Sequence, residues 1–203
     1  MKRIGITGPT GAGKTTALGA LEELGACVID ADAVYHRLLE ESAPLRAALT
    51  ERFGPGILGP DGTVDRKALG GVVFGDPEAL SDLNDITHRF IRAEIDRRAA
   101  RAEREGKPAV AIDAIALIES GLGESFDAVV GVLAPPELRV RRIMAREGIP
   151  EDYARRRVAA QQGDGFYRAH CAHLLENREG DTLEEFRRRA APGGPALPAQ
   201  KRL

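Results

Sequence analysis

The sequence predicts an α/β fold in which helices cover both faces of a parallel β-sheet. Short apolar segments alternate along the chain with longer segments of helical periodicity. A Gly-rich turn follows the first apolar segment, and a helical segment follows that turn. Parallel strands need a crossover connection, which is usually a helix. This alternation is therefore typical of a parallel sheet between two helical layers.

Length and composition fit one domain with a substantial core. The chain has 203 residues, of which 43% are hydrophobic, and a formal net charge of -2. That charge gives no reason to expect a nucleic acid or a membrane surface as partner. Cys27 and Cys171 lie too far apart in sequence for a disulfide framework or a clustered metal site. We also find no signal peptide and no membrane-spanning apolar run, so we expect a soluble, cytoplasmic protein.

Apolar runs place the strands and the first helix. The segment KTTALGALEEL (14–24) has helical spacing, and it predicts that Ala17, Leu21 and Leu24 share one face. The predicted strands are residues 3–7 (RIGIT), 26–30 (ACVID), 109–114 (AVAIDA), 127–133 (DAVVGVL) and 172–177 (AHLLEN).

Helix-start signals mark two further helices. Asp76 suits a cap and Pro77 the first helical position, so a long helix is predicted to begin there. Thr182 and Glu185 form a capping-box pair for the last helix. The Pro- and Gly-containing tail 191–203 is expected to be disordered and outside the fold.

The Gly-rich loop (residues 8–15, GPTGAGKT) matches the pattern G-x-x-x-x-G-K-[ST] between a predicted strand and a predicted helix. In that context backbone N–H groups and the positive end of the helix surround nucleotide phosphates. Lys14 would reach the β- and γ-phosphates, and the Thr15 hydroxyl would hold Mg²⁺. The alternative is a Gly-rich turn before a capped helix, which the flanking elements disfavour. The predicted phosphate-binding residues are Gly11, Ala12, Gly13, Lys14, Thr15 and Thr16.

Carboxylates follow the second and third predicted strands. Asp30 ends the segment VID and Asp32 follows it, at the sheet edge where open α/β folds bind ligands. Phosphoryl transfer to an alcohol requires a carboxylate that takes the acceptor proton, and Asp32 is placed for that role. Alternatively, Asp30 or Asp32 caps a helix that begins near Ala33. Asp113, after the third strand, is a second possible partner of Mg²⁺.

Arginines dominate residues 136–168. Arg139, Arg142 and Arg146 share one helical face. Such a face could bind nucleic acid, but the chain is slightly acidic and no stacking aromatic residues interleave. Next to a phosphate loop, an arginine-bearing helix suits closure over ATP, with Arg142 as the first candidate and Arg146 as the second. By spacing alone His88 is a packed or surface residue of the long helix.

The order of these motifs resembles the dephospho-CoA kinase family, which completes coenzyme A synthesis, over residues 2 to about 180. The loop alone indicates only a P-loop protein, and the later segments select this family among nucleotide and shikimate kinases. The segments that carry the resemblance are GPTGAGKTT, VIDADAV, FGPGILGPDGTVDRKALGGVVFGDPEAL, LNDITHRFI and VLAPPELRVRRIMAREGI, followed by AAQQ and LLEN.

The resemblance implies a single P-loop kinase domain of three layers over residues 1–190, with a central five-stranded parallel sheet. It also implies a helical acceptor-binding insertion (33–106) and a helical lid (136–168). The remaining segments, 1–32, 107–135 and 172–190, would form the core.

By position, the resemblance assigns roles to four residues outside the loop. Asp32 matches the catalytic acidic residue, and Arg142 matches an arginine that contacts the transferring phosphate. His88 matches a histidine near the acceptor, and Asn177 an asparagine near the adenine site. The expected reaction is ATP- and Mg²⁺-dependent phosphorylation of the ribose 3′-hydroxyl of dephospho-CoA, by a monomer or weak homo-oligomer without a nucleic-acid or membrane partner.

The chain departs from the family pattern in the predicted acceptor pocket and lid. Arg89 follows His88 where the family usually has proline, and Ile115 and Ala116 replace a proline and a leucine. Tyr167 and Ala172 stand where a lysine and an aspartate are frequent. Two other functions share the P-loop core: a different small-molecule or nucleoside monophosphate kinase, and a nucleotide-binding regulator without catalysis.

Overall fold

The computed structural model describes residues 1–114 and 116–190. The predicted disordered tail, 191–203, and Ile115 lie outside the described residues. Within the described residues, every helix is too short or too polar to cross a lipid bilayer. The strands are β1 (Lys2–Thr7), β2 (Cys27–Asp30), β3 (Ala109–Asp113), β4 (Ala128–Leu133) and β5 (His173–Glu176). The α-helices are α1 (Lys14–Glu23), α2 (Ala31–Glu41), α3 (Ala43–Phe53), α4 (Arg66–Val73), α5 (Pro77–Arg104), α6 (Pro136–Glu147), α7 (Glu151–Ala159), α8 (Asp164–His170) and α9 (Leu183–Ala190).

The five strands form one sheet in the order β2-β3-β1-β4-β5. β1 pairs in parallel with β3 and with β4, and β4 pairs in parallel with β5. The register places Ile6 beside Asp113 and Thr7 beside Gly131, so the carboxyl ends of the three middle strands lie together. The predicted five-stranded parallel sheet is confirmed, and each strand lies within a residue of its predicted bounds.

The chain divides into two compact units. Of the described residues, the larger comprises Met1–Ile29 with residues 101–114 and 116–190, and the smaller is Asp30–Ala100. The predicted acceptor-binding role of 33–106 stays a prediction. The core of the larger unit includes Ile6, Ala12, Leu21, Val132, Leu175 and Phe186. The core of the smaller unit includes Leu39, Leu45, Leu49, Ile57, Leu69, Val73 and Leu83.

Local capping determines where the long helix and the last helix begin. Asp76 accepts hydrogen bonds from the N–H groups of Glu78 (2.9 Å) and Ala79 (3.2 Å), which have no helical acceptor at this end. Thr182 and Glu185 bond reciprocally, as a capping box does. Both predicted helix starts are confirmed.

The first helix is shorter than its apolar pattern predicts. α1 ends at Glu23, and Gly25 adopts a φ of 91° while its N–H donates to the Glu22 carbonyl at 2.8 Å. Ala17 and Leu21 are buried, but Leu24 is 52% exposed. Leu24, predicted to share a helical face with Ala17 and Leu21, lies just past the end of α1, because the left-handed glycine turns the chain there.

Candidate active site

The Gly-rich loop connects β1 to α1 by a path that excludes side chains at two positions. Gly8 has a φ of 138°, and a Cβ atom there would lie 2.2 Å from the Val132 carbonyl oxygen of β4. Gly13 has a φ of 108°, and its Cβ would lie 2.5 Å from the Asn177 amide nitrogen. L side chains rarely adopt these conformations, so glycine is required at both positions.

Gly8→Ala is expected to lower the free energy of unfolding by about 3 kcal/mol or more, because both the strained φ and the contact with the β4 backbone oppose the new methyl group. Gly19→Ala is the matched control. Gly19 lies inside α1, and a Cβ there meets no atom within 4 Å. Gly19→Ala should raise the free energy of unfolding by about 0.5–1 kcal/mol. Urea denaturation measures both changes. Equal unfolding midpoints for Gly8→Ala and the wild type would contradict the steric argument.

Side chains from elsewhere in the larger unit hold the carbonyl oxygens of the loop. Arg139 Nε donates to the Thr10 oxygen at 2.9 Å, and Arg142 Nη1 donates to the Gly11 oxygen at 3.2 Å. Asn177 Nδ2 donates to the Ala12 oxygen at 3.1 Å. Two guanidinium groups therefore lie against this loop, where they add positive charge beside the amino-terminal end of α1. Positive charge beside a helix N-terminus favours the binding of an anion.

Lys14 and Thr15 open α1 at the end of the loop. The Lys14 ammonium donates to the Gly8 carbonyl oxygen at 2.7 Å, so it folds back across the loop. Thr15 is exposed. The N–H groups of Ala12 and Thr16 donate to loop carbonyls at 3.2 and 3.1 Å, which fixes the turn that leads into the helix.

The Arg-rich segment (136–168) brings one of the two predicted arginines to the loop. Arg142 Nη2 also donates to Asn177 Oδ1 at 3.1 Å, and burial lowers the pKa of its guanidinium. Asn177 is 5% exposed, and its N–H donates to the Leu133 carbonyl oxygen at 2.8 Å. Arg146 instead pairs with Glu147 at 2.6 Å and leaves 59% of its side chain exposed.

The sequence motifs assign no role to Gln161, and they place Arg139 only on the arginine face. The structure places both against Thr10 of the Gly-rich loop. The spacing from Arg139 to Arg142 on one helical face was the available signal for Arg139. Only the segment AAQQ pointed to Gln161.

A cavity of about 390 Å³ adjoins Asn177. Residues that follow β4 and residues that follow β5 contribute to its wall, which has both apolar and polar side chains. This mixture is typical of a small-molecule site. The lining residues are Leu133, Ala134, Pro135, Pro136, Asp164, Arg168, Glu176, Asn177, Arg178 and Glu179.

The three candidate carboxylates occupy different local environments. Asp30 is the cap of α2, since its carboxylate accepts from the Ala33 N–H at 2.9 Å. Asp32 lies in the first turn of α2, and it is exposed. The capping interpretation therefore applies to Asp30. Asp113 ends β3, beside Ile6 of β1, and it is half-buried.

In the smaller unit, His88 borders a second cavity of about 390 Å³. Arg89, Arg92, Ala93 and Asp96 line the same cavity, so cations predominate there. Burial lowers the pKa of His88 below its usual 6.5; the nearby Asp85 carboxylate opposes this shift, and Arg92 adds to it. The imidazole is therefore neutral near pH 7, and it can accept or donate a hydrogen bond.

The dephospho-CoA kinase family model matches residues 2–182. The chain belongs to the dephospho-CoA kinase family. The members of this family are kinases, and the chain has the P-loop kinase fold.

Relatives in the dephospho-CoA kinase family align with nearly the whole chain. A dephospho-CoA kinase from Corynebacterium jeikeium is 42% identical over 92% of this chain and 94% of its own length. One from Symbiobacterium thermophilum is 40% identical over 88% of this chain and 74% of its own length. Among solved structures, a protein from Thermus thermophilus is 32% identical with a TM-score of 0.72, covering 91% of this chain and 92% of its own. A Campylobacter jejuni dephospho-CoA kinase is 25% identical with a TM-score of 0.56, over 93% of both chains.

The departures from the dephospho-CoA kinase pattern lie in different environments. Tyr167 is 5% exposed and packs edge-on against Phe166, and burial raises the pKa of its hydroxyl. Arg89, Ala116 and Ala172 are exposed. Exposed residues tolerate exchange with little loss of stability, whereas Tyr167 is part of the packing of α8.

Proposed function

We propose that this chain transfers the γ-phosphoryl group of ATP to the ribose 3′-hydroxyl of dephospho-CoA, giving coenzyme A and ADP, the last step of coenzyme A synthesis. The family match over residues 2–182 carries this proposal. The cationic surroundings of the Gly-rich loop support it, because phosphoryl transfer depends on positioning and on neutralising charge. A cytoplasmic location and a monomeric or weakly associating chain remain predictions.

The nucleotide would bind along the Gly-rich loop. Its β- and γ-phosphates would take the place of the Gly8 carbonyl as partner of the Lys14 ammonium, now 2.7 Å away. N–H groups from Gly11 to Thr16 would contact the phosphates, those of Ala12 and Thr16 sharing their hydrogen with the loop carbonyls they now bond. The cavity beside Asn177 would take the adenine. Arg142 would neutralise charge on the transferring group. Arg146 is exposed enough to be proposed as a second contact.

The residues at the loop fit a magnesium ion. Thr15 offers one hydroxyl and Asp113 one carboxylate, and within residues 1–114 and 116–190 no group of three or more His, Cys, Asp or Glu side chains could cage a metal. Magnesium commonly takes one or two protein ligands and completes its shell with phosphate oxygens and water. When bound, Mg²⁺ would supply charge neutralisation at the β- and γ-phosphates.

Asp32 would accept the proton of the attacking 3′-hydroxyl. Its place in the first turn after β2, and its exposure, leave the carboxylate accessible to a substrate. His88 would contact the acceptor, since a neutral imidazole in a cation-lined cavity can bond a hydroxyl or phosphate oxygen.

A panel of acceptors tests the proposal. With ATP and Mg²⁺, ADP release should rise only when dephospho-CoA is added, and the product should match coenzyme A by mass. Shikimate and nucleoside monophosphates serve as the other acceptors. A response to one of these would assign a different kinase activity. ATP binding without any stimulated turnover would instead favour a nucleotide-binding regulator.

A further inference from the structure

Both polar atoms of the Gln161 side-chain amide form hydrogen bonds with Thr10 of the Gly-rich loop. The Thr10 N–H donates to Gln161 Oε1 at 3.2 Å, and Gln161 Nε2 donates to Thr10 Oγ1 at 2.9 Å. The two bonds join residues 151 positions apart in the chain. Because they use opposite ends of the amide, they fix the rotation of that side chain.

Arg139 completes the same arrangement. Its Nη2 donates to Gln161 Oε1 at 2.5 Å, while its Nε donates to the Thr10 carbonyl oxygen at 2.9 Å. The side chain is largely buried, with the residue only 3% exposed. Removing one hydrogen-bond partner of a buried guanidinium leaves a donor unsatisfied and costs stability. Gln161 and the Thr10 carbonyl therefore also keep the Arg139 side chain in place.

The N–H, the carbonyl and the hydroxyl of one loop residue are thus all bonded by two side chains from the Arg-rich segment. Gln161 follows α7 and precedes α8, where its own N–H donates to the Val158 carbonyl at 3.4 Å. Its neighbour Gln162 is exposed. This contrast separates a residue that contacts the loop from one that merely shares its turn.

We propose that Gln161 is a positioning residue for nucleotide binding, which acts by holding Thr10, and with it the Gly-rich loop, in the shape that receives the phosphates. The proposal rests on the nucleotide site of the proposed function, but it does not depend on the identity of the acceptor. Because the Thr10 N–H is directed to Gln161, the following loop residues are left to supply N–H groups to the ligand. A loop that is already ordered in the free protein loses less conformational entropy when the nucleotide binds, and the affinity for the nucleotide is therefore higher.

Gln161→Ala is expected to weaken binding of a non-hydrolysable ATP analogue about 10-fold, measured by isothermal titration calorimetry. Gln162→Ala is the matched control, and it should bind within about twofold of the wild type. In turnover assays the KM for ATP should rise in Gln161→Ala, while the KM for dephospho-CoA stays unchanged. A purely structural role would not separate the two KM values. Equal affinities of Gln161→Ala and Gln162→Ala would overturn the proposal.

Thr10 variants test the same contact if Gln161→Ala fails to fold. Thr10→Ala removes the bond from Gln161 Nε2 and should weaken analogue binding about threefold, while Thr10→Ser should restore it. In the Gln161→Ala background, Thr10→Ala should have no further effect. Identical affinities of Thr10→Ala and Thr10→Ser, or fully additive effects, would count against the contact. Because the calorimetric readout needs no acceptor, failure of the proposed kinase activity would be seen separately.

Discussion

Lys14→Ala is expected to lower kcat by about 10²- to 10³-fold and to weaken ATP binding about 10-fold. The ammonium now lies 2.7 Å from the Gly8 carbonyl oxygen, so it is held against the Gly-rich loop. Charge that develops on the phosphates during transfer is stabilised by a preorganised cation, and alanine offers none. Steady-state kinetics with varied ATP, together with calorimetry of an ATP analogue, measure the two losses.

Lys107→Ala is the control for a lost lysine. Lys107 is an exposed residue between α5 and β3, and its removal should leave both constants within about twofold. Lys14→Arg keeps the charge but changes its shape, so it should recover part of the affinity and little of the rate. A Lys14→Ala enzyme with wild-type turnover would exclude this lysine from the proposed mechanism.

Asp32→Asn is expected to lower kcat by about 10²- to 10⁴-fold while ATP affinity stays nearly unchanged. Asparagine keeps the size of the side chain but cannot take a proton from the acceptor hydroxyl. Because the proposed role concerns the acceptor and not the nucleotide, calorimetry of the ATP analogue should detect little change. Single-turnover measurements with dephospho-CoA report the chemical step.

Asp30→Asn provides a control two residues away. Asp30 caps α2, and asparagine caps a helix about as well as aspartate, so stability and turnover should both persist. Unaltered turnover in Asp32→Asn would refute the assignment of Asp32 as the base. Equal losses of turnover in Asp30→Asn and Asp32→Asn would show that catalysis depends on the whole segment and not on the Asp32 carboxylate.

Much of the fold follows from signals that are local in sequence. The strands near 109–114 and 127–133 are predicted within a residue because short apolar runs bounded by turns leave few alternatives. Asp76 and Pro77 begin the long helix through contacts within three residues. At the end of α1 the apolar spacing runs one residue past the helix, because a left-handed glycine turns the chain after Leu24.

The surroundings of the Gly-rich loop were harder to predict. The arginine face predicted Arg142 and Arg146 together, and spacing could not show that Arg142 contacts the loop while Arg146 pairs with its neighbour at the surface. The choice depends on where α6 lies against the loop, and a helical pattern does not contain that information. Gln161 carried no charge or spacing signal at all.

Sequence patterns were enough to predict the order of strands and helices along the chain, the Gly-rich loop with its lysine and threonine, and the family to which the chain is assigned. These depend on periodicity, turns and motifs that span a few residues. Which side chains hold the loop is seen only in the packed fold. Arg139 and Gln161 reach Thr10 across 129 and 151 residues of chain. Such contacts form only when the sheet and the Arg-rich segment have packed, because their geometry is set by the whole core and not by any one segment.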